Sequence, residues 1–369
     1  MRRINRYIYQ NPDWPNFYWN TEKLLVQLTE VRNQQGRLLG KMSGLGFDLK
    51  EQADLEILTQ DVVKSCAIEG ETLEQNQVRS SLARRLGLEV SGLVPSERSV
   101  DAFVDMILDA TRNFASPLTV ERLHGWHNAL FPGGHSGMFK IAAGRFRDDS
   151  TGPMQVISGP TGREKVHYQA PAAKNLENEM LVFLDWFNGR QNIDLVIKAA
   201  LAHLWFVTLH PYDDGNGRIA RAAADMVLSR SDGQTYRFYS MSAQIRKERK
   251  DYYNVLEKTQ KGSLDVTDWL EWFLQCLLNA LNASQAILAK VLQKHEFWLK
   301  NAALVGNERQ QKVLNLLLDG FDGKLTSSKW AKLCKCSQDT ALRDINDLLH
   351  KKILKKLPGG SRSTAYNID

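Results

Sequence analysis

Apolar positions along this chain recur mostly at three- and four-residue spacing, which predicts a mainly helical protein. Glu22 to Arg37 and Asp54 to Glu69 carry that spacing, and a Gly/Ser/Pro-containing stretch, Gly87 to Pro95, separates them from a helix starting near Glu97. Ser116-Pro-Leu-Thr119 reads as a stop and then a cap for the helix that follows, Glu121-Arg-Leu-His-Gly-Trp-His127. Two long helices are expected over Lys174 to Phe187 and Asp194 to Leu209. The second stops at His210-Pro211, because a proline disfavours helical geometry in the residue before it. Further helices are expected from about Gly217 to Arg230, Arg246 to Lys258 and Thr267 to about His295. In the middle of the chain, strand pattern is confined to Met154-Gln-Val-Ile157 and Lys165-Val-His-Tyr168, which flank Ser158-Gly-Pro-Thr-Gly162, a hairpin composition.

The last segment changes character. Glu308 to Leu318 is amphipathic, Thr326 to Cys334 is a short capped helix, and Ser337 to Leu349 is a third. Ile353 to Leu357 and Ser363 to Ile368, joined by Pro358-Gly-Gly-Ser361, make a hairpin. Three helices and a hairpin resemble a winged helix, a variant of the helix-turn-helix theme. Charge sharpens the picture: from residue 307 onward stand twelve Lys or Arg against seven Asp or Glu, so nearly all of the chain's net +6 lies there. A polyanion such as DNA would bind there if one does, with the pairs Lys351-Lys352 and Lys355-Lys356 either meeting its phosphates or forming a solvated surface. The same module also serves for dimerisation or target docking.

Composition adds exclusions. The apolar, charged and aromatic fractions of the 369 residues are those of an ordinary soluble globular protein. No apolar run approaches membrane-spanning length, and Met1-Arg-Arg-Ile-Asn-Arg6 is not followed by the apolar stretch of a secretory signal. Of four cysteines, Cys334 and Cys336 lack zinc spacing; a reduced, cytoplasmic protein is the expectation.

The chemistry concentrates in His210-Pro-Tyr-Asp-Asp-Gly-Asn-Gly-Arg-Ile-Ala-Arg221. This segment places a histidine at the end of one helix, then a tight turn, then the start of another helix. Free backbone amides at Gly215, Asn216 and Gly217, together with the helix dipole, favour an anion. Arg218 and Arg221 are three apart, hence on one face, and can grip further phosphate oxygens. Asp214 is a hard oxygen ligand suited to magnesium held jointly with phosphates. His210 can take a proton from an incoming hydroxyl. A base, an anion nest, two arginines and a metal ligand compose a phosphoryl- or nucleotidyl-transfer site. His124, His127 and His203 read as structural, and Trp126, Trp186, Trp205, Trp269 and Trp272 as core.

This segment resembles the signature of the Fic (Fido-fold) proteins, His-Pro-Phe-x-Asp/Glu-Gly-Asn-Gly-Arg-x-x-Arg, departing from it only at Tyr212, where the ring is kept. The resemblance covers roughly Pro117 to Lys261. It implies a mainly α Fic/Fido helical core with a small β-hairpin flap over 116–262, behind an N-terminal helical region, 1–115. A helical connector, 263–306, and the winged-helix-like domain, 307–369, would follow. It implies a protein adenylyltransferase: His210 deprotonates a Ser, Thr or Tyr hydroxyl, which attacks the α-phosphorus of ATP as pyrophosphate leaves. Asp214 would hold Mg2+. Asn216 with the amides of Gly215 and Gly217 would bind the α-phosphate, and Arg218 and Arg221 the β- and γ-phosphates. Tyr252 and Tyr253 would lie near the adenine, with Gln260 a further candidate. Met154, Val156, Val166 and Tyr168 of the flap would pair with the target segment.

Fic proteins are often held off by a helix bearing Ser/Thr-x-x-x-Glu-Gly/Asn. Ser65-Cys-Ala-Ile-Glu69-Gly70 fits this pattern, on an inhibitory helix of about 54–70. The resemblance implies that Glu69 pairs with Arg221 and thereby displaces the γ-phosphate. Alternatives on the same residues are AMP removal through water activated by Glu69, transfer of UMP or another phosphate-containing group, and a DNA-binding transcriptional regulator. Helical faces in this architecture leave room for a homodimer.

Overall fold

A computed structural model describes residues 6–88, 92–150, 152–160, 162–318, 321, 323–358 and 364–369. Parts of three expected loops, 89–91 of the Gly87–Pro95 stretch, Thr161 of the middle hairpin and 359–363 of the tail hairpin, lie outside the described residues. The fold is mainly α with small hairpins, as the pattern predicts. It divides into two compact units, one made of residues up to 88 and 93–285, the other of 286–369 together with 89–92.

In the first unit the chain enters through a turn whose Tyr7 and Ile8 are buried, followed by Trp14 and Phe17 packed edge-on against Trp205. Then come α1 (Thr21–Ser43), α2 (Phe47–Ile68), α3 (Gln75–Leu86) and α4 (Arg98–Arg112). α3 is absent from the sequence reading: its mean composition is polar, with three arginines, so only a narrow stripe around Val78 and Leu82 is buried. α5 (Val120–Leu130) starts at Thr119, whose hydroxyl accepts from the Arg122 amide. A two-residue hairpin follows, β1 (His135–Ser136) and β2 (Phe139–Lys140), too short to leave an alternating pattern. Then come β3 (Gln155–Ser158), β4 (Lys165–Gln169) and α6 (Leu176–Asn188).

The centre of the unit is α7 (Leu195–Leu209) against α8 (Asn216–Asp232). Asp194 caps α7 by accepting from the Val196 amide, and every residue from Val196 to Leu209 is buried. A helix apolar all round is a core helix, so this pair forms a fixed post on which the loop between them stands. α9 (Met241–Lys247) and α10 (Arg249–Gln260) replace the single helix expected over 246–258; the chain breaks at Glu248 and turns. α11 (Thr267–Asn301) begins in this unit and runs about two turns past the expected end.

The second unit holds α12 (Glu308–Leu318), α13 (Ser327–Cys334), α14 (Gln338–His350) and the antiparallel pair β5 (Leu354–Lys356) and β6 (Tyr366–Ile368). Thr326 and Ser337 cap α13 and α14, as their hydroxyls suggest. Val313, Leu314, Trp330, Ile345 and Leu348 form the core, and Tyr366 closes it by bridging to Leu325. Among the described residues no helix is long and apolar enough to cross a membrane.

Candidate active site

The loop between α7 and α8 begins with a turn against the usual hand. His210 adopts φ 50° and ψ 57° as the cap of α7, and Pro211 forbids the helix from continuing. Its Nδ1 lies 3.3 Å from the Val207 carbonyl; a carbonyl only accepts, so Nδ1 carries the proton and Nε2 is the free base. Burial disfavours the imidazolium and outweighs the Val207 contact, lowering the His210 pKa to about 4. The ring is therefore neutral across the physiological range.

Every part of the loop is fastened. The Asn216 side chain spans it, accepting from the Tyr212 amide at 3.0 Å and donating to the Tyr212 carbonyl at 2.7 Å. Tyr212 is fully buried, stacked 4.1 Å from the His127 ring, with its hydroxyl 3.0 Å from His124 Nδ1. His127 accepts from the Gly144 amide through Nδ1 and so donates through Nε2 to the Asp214 carbonyl; burial lowers its pKa to about 4. Both histidines support the loop. Arg147, which the sequence reading missed, donates to the His210 carbonyl at 2.8 Å while its own amide bonds the Pro211 carbonyl. Gly215 combines φ 80° with a close approach, since a Cβ there would lie 2.9 Å from Phe131.

α8 starts at Asn216, and Ile219 is the residue whose amide bonds back to the Gly215 carbonyl. The amides of Asn216, Gly217 and Arg218 thus open the helix as anion donors. The Asn216 side chain is spent on the loop, so what it offers an anion is its backbone. Arg218 and Arg221 are each about 3% exposed. Arg221 donates through Nε and Nη2 to the Ser65 hydroxyl and carbonyl, both at 3.0 Å, and its Nη1 lies 2.8 Å from Glu69 Oε1. Burial works against the Arg221 charge, but Glu69, with Tyr252 and Tyr253, more than compensates, and its pKa is raised. Arg218 donates to Glu71 at 2.8 Å, and its buried Nε and Nη2 lack a hydrogen-bond partner among the described residues, with Nη2 3.9 Å from Asp214 Oδ1. Such groups are costly to bury unless an acceptor arrives.

Glu69 ends α2, ahead of Gly70 at φ 90°. Its carboxylate lies over the start of α8, where a Cβ on Gly217 would collide with Oε1. Asp214 is 42% exposed and accepts from the Ser136 hydroxyl and the Gly215 amide. The described residues contain no cluster of three or more metal-binding side chains. A single accessible carboxylate beside an anion cradle fits magnesium shared with phosphate oxygens.

The outer candidates divide. Tyr253 is 38% exposed and its hydroxyl reaches Glu69 Oε2 at 3.3 Å. Tyr252 is buried, its hydroxyl 2.9 Å from His203, so its ring packs inside rather than lining the site. Gln260 is also buried and donates to the Val207 carbonyl and Thr208 hydroxyl, which holds the end of α7. In the flap, Val156 is exposed and Val166 half-buried, but Tyr168 and Met154 turn inward. Tyr168 donates to the Thr208 carbonyl at 2.7 Å, and Met154 packs on the cluster of Tyr7, Tyr168 and Ala170. The bulge after Val156 instead turns Ile157 outward, at 54% exposure. Ser136 and Glu71 also escaped the sequence reading; Glu71 stands two residues past Glu69, a carboxylate beyond the motif's edge.

A helical post, helix-start amides, two buried arginines and a neutral histidine thus meet at the start of α8. Residues 117–228 match the family described as Fic/DOC. Residues 7–88 match a domain of unknown function, DUF4172. Proteins named "Protein adenylyltransferase Fic" are similar: that of Nematostella vectensis is 23% identical over 63% of this chain and 50% of its own length. That of Aedes aegypti is 25% identical over 76% and 54%. The chain thus spans about half the length of the curated relatives it matches. Among solved structures, a Fic family protein of Desulfovibrio desulfuricans superposes with TM-score 0.53 at 20% identity, over 95% of this chain and 97% of its own. A Fic-domain signalling protein of Bacteroides thetaiotaomicron gives 0.51 at 19%, over 70% and 97%. These two share the fold.

Proposed function

We propose that this protein transfers AMP from ATP to a Ser, Thr or Tyr hydroxyl of a target protein, itself included, and that Glu69 holds the reaction off. The observation that carries this reading is the opening of α8, where two buried guanidinium groups flank helix-start amides and one of them is matched by Glu69. A buried arginine needs an anion. A γ-phosphate and the Glu69 carboxylate are alternatives for the same guanidinium.

In the reaction, His210 Nε2 takes the proton of the incoming hydroxyl, which a neutral imidazole can do at physiological pH. The oxygen bonds the α-phosphorus as the bond to pyrophosphate breaks. The α8 amides, Arg218 and Arg221 stabilise the charge that develops on the phosphate oxygens. Asp214 would hold magnesium jointly with those oxygens, and the ion would neutralise polyphosphate charge. Val156 and Ile157, both exposed, are the flap side chains that would meet a target segment, with Tyr168 and Met154 as their anchor.

The test compares wild type, Glu69→Gly and Glu69→Gly/His210→Ala for incorporation from α-labelled ATP with magnesium, into the protein itself and a cell lysate. Strong labelling by Glu69→Gly alone is expected. Silence from Glu69→Gly with ATP, but labelling with another nucleotide, would sink the AMP assignment.

A second reading concerns residues 307–369, which we propose act as a winged-helix-like DNA module. α14 exposes Arg343 and Asn346, and Lys352, Lys355 and Lys356 are exposed beside it. Affinity for duplex DNA that falls steeply with salt is the expected result, and salt-insensitive or absent binding would leave docking as its role.

A further inference from the structure

Three side chains outside the α8 cradle form a relay that the reaction above does not use. Ser158 Oγ lies 2.6 Å from His167 Nε2, and His167 Nδ1 lies 2.6 Å from Glu257 Oε2. A carboxylate only accepts, so Nδ1 carries a proton toward Glu257 and Nε2 accepts from the Ser158 hydroxyl. A hydroxyl bonded to a base, with the base oriented by a carboxylate, is the arrangement that activates a serine as nucleophile. Burial pushes the Glu257 carboxyl up, but hydrogen bonds from Lys261 and His167 outweigh it, so the net shift is downward and the group stays ionised. Ser158 is exposed, and the His167 side chain keeps 26% of its surface open.

The relay is joined to the candidate site through two elements. Ser158 ends β3, paired with Lys165, on the hairpin that Tyr168 anchors to the Thr208 carbonyl, two residues before His210. Glu257 stands one helical turn beyond Tyr253, whose hydroxyl reaches Glu69, which in turn pairs with Arg221. A serine with its own base needs an electrophile. Under the reading above, the electrophile this molecule binds is the α-phosphorus of ATP.

We infer that Ser158 is itself an acceptor of AMP, an inference that rests on the proposed AMP transfer. The Ser158 Oγ–phosphorus bond forms, the bond from phosphorus to the pyrophosphate oxygen breaks, and the hydroxyl proton passes to His167 Nε2. Glu257 stabilises the imidazolium that results, and pyrophosphate leaves. The modified Ser158 can no longer donate to His167, and it places a phosphodiester anion on the flap.

The test incubates full-length Glu69→Gly with α-labelled ATP, magnesium and a cell lysate, then locates the label in the protein's own peptides by mass spectrometry. AMP on the peptide holding Ser158 is expected. Glu69→Gly/His167→Gln keeps a polar side chain that cannot take up the proton; relative to lysate labelling, its Ser158 label should fall about a hundredfold, as for loss of a positioned base. Should that variant melt early, Glu69→Gly/Glu257→Gln reads the same step with a smaller fall. Self-labelling confined to other residues, or Ser158 labelling indifferent to His167, would overturn the inference while leaving AMP transfer standing. The same holds for a labelled lysate with an unlabelled enzyme. If nothing is labelled at all, the AMP-transfer reading fails and takes this inference with it.

Discussion

The loop from His210 to Gly217 and the turn from Glu69 to Glu71 meet at the start of α8, yet they are held in opposite ways. The loop is fastened from within, by Asn216 across its own backbone, and from outside by Arg147, His124 and His127. The turn reaches the cradle through two carboxylates that keep 27% and 47% of their side-chain surface in solvent. Ion pairs with one solvated partner are individually weak. The difference teaches that the loop is set by its own buried contacts, whereas the carboxylates across from it are held only by partly solvated ion pairs. In the proposed function, that is the relation of a transferase site to its brake.

The largest effect that could break this comparison is on the base. In the Glu69→Gly background, His210→Ala should lower AMP incorporation by about a hundred- to ten-thousandfold, and unchanged labelling would remove His210 from the chemistry. Glu69→Gly alone should raise incorporation over wild type on the order of ten- to a hundredfold, the span of ordinary coupling energies; a fall instead would make Glu69 part of the machinery. Asn216→Ala leaves two buried backbone groups of Tyr212 unpaired and should cost about 2 kcal/mol, read as a drop of several degrees in Tm. Glu71→Ala, which frees Arg218 alone, should raise incorporation only about two- to threefold, as suits a half-exposed carboxylate.

The smallest effect is on pH dependence. Burial lowers the His210 pKa and Glu69 works in the opposite direction, so removing Glu69 moves the base further down. A lowered pKa means that the neutral, active form persists as acidity rises. The rate of Glu69→Gly should hold to about pH 5, where an ordinary histidine would have lost most of its free base. An acid limb near 6.5 would show that the ring is solvated in the working enzyme.

Much of this was legible beforehand because the cradle is local. A base, a turn and a helix start lie within twelve consecutive residues, and their spacing alone dictates the geometry. The caps Thr119 and Thr326 were readable for the same reason: a hydroxyl meets an amide three residues on. Features that depend on distant partners were not. Arg147 and Ser136 bind the loop across more than sixty residues of chain, with no pattern to announce them. Tyr168 looked like part of an exposed strand face, but its ring is claimed by Tyr7, from the far N-terminal segment. Tyr252 shared the aromatic character of Tyr253, and only the position of His203 decides that one ring is inside and the other out.

The Tyr168 hydroxyl and the Gln260 amide land on neighbouring carbonyls, Thr208 and Val207, in the last turn of α7. The strand that would align an incoming side chain is therefore mounted on the same footing as His210, which would receive its proton. Thermal drift of that footing carries both together and leaves their spacing unchanged. Tolerances do not accumulate between two parts cut from one block. On this footing, alignment would survive motions of the surrounding helices that would misplace an acceptor held by a separate lid.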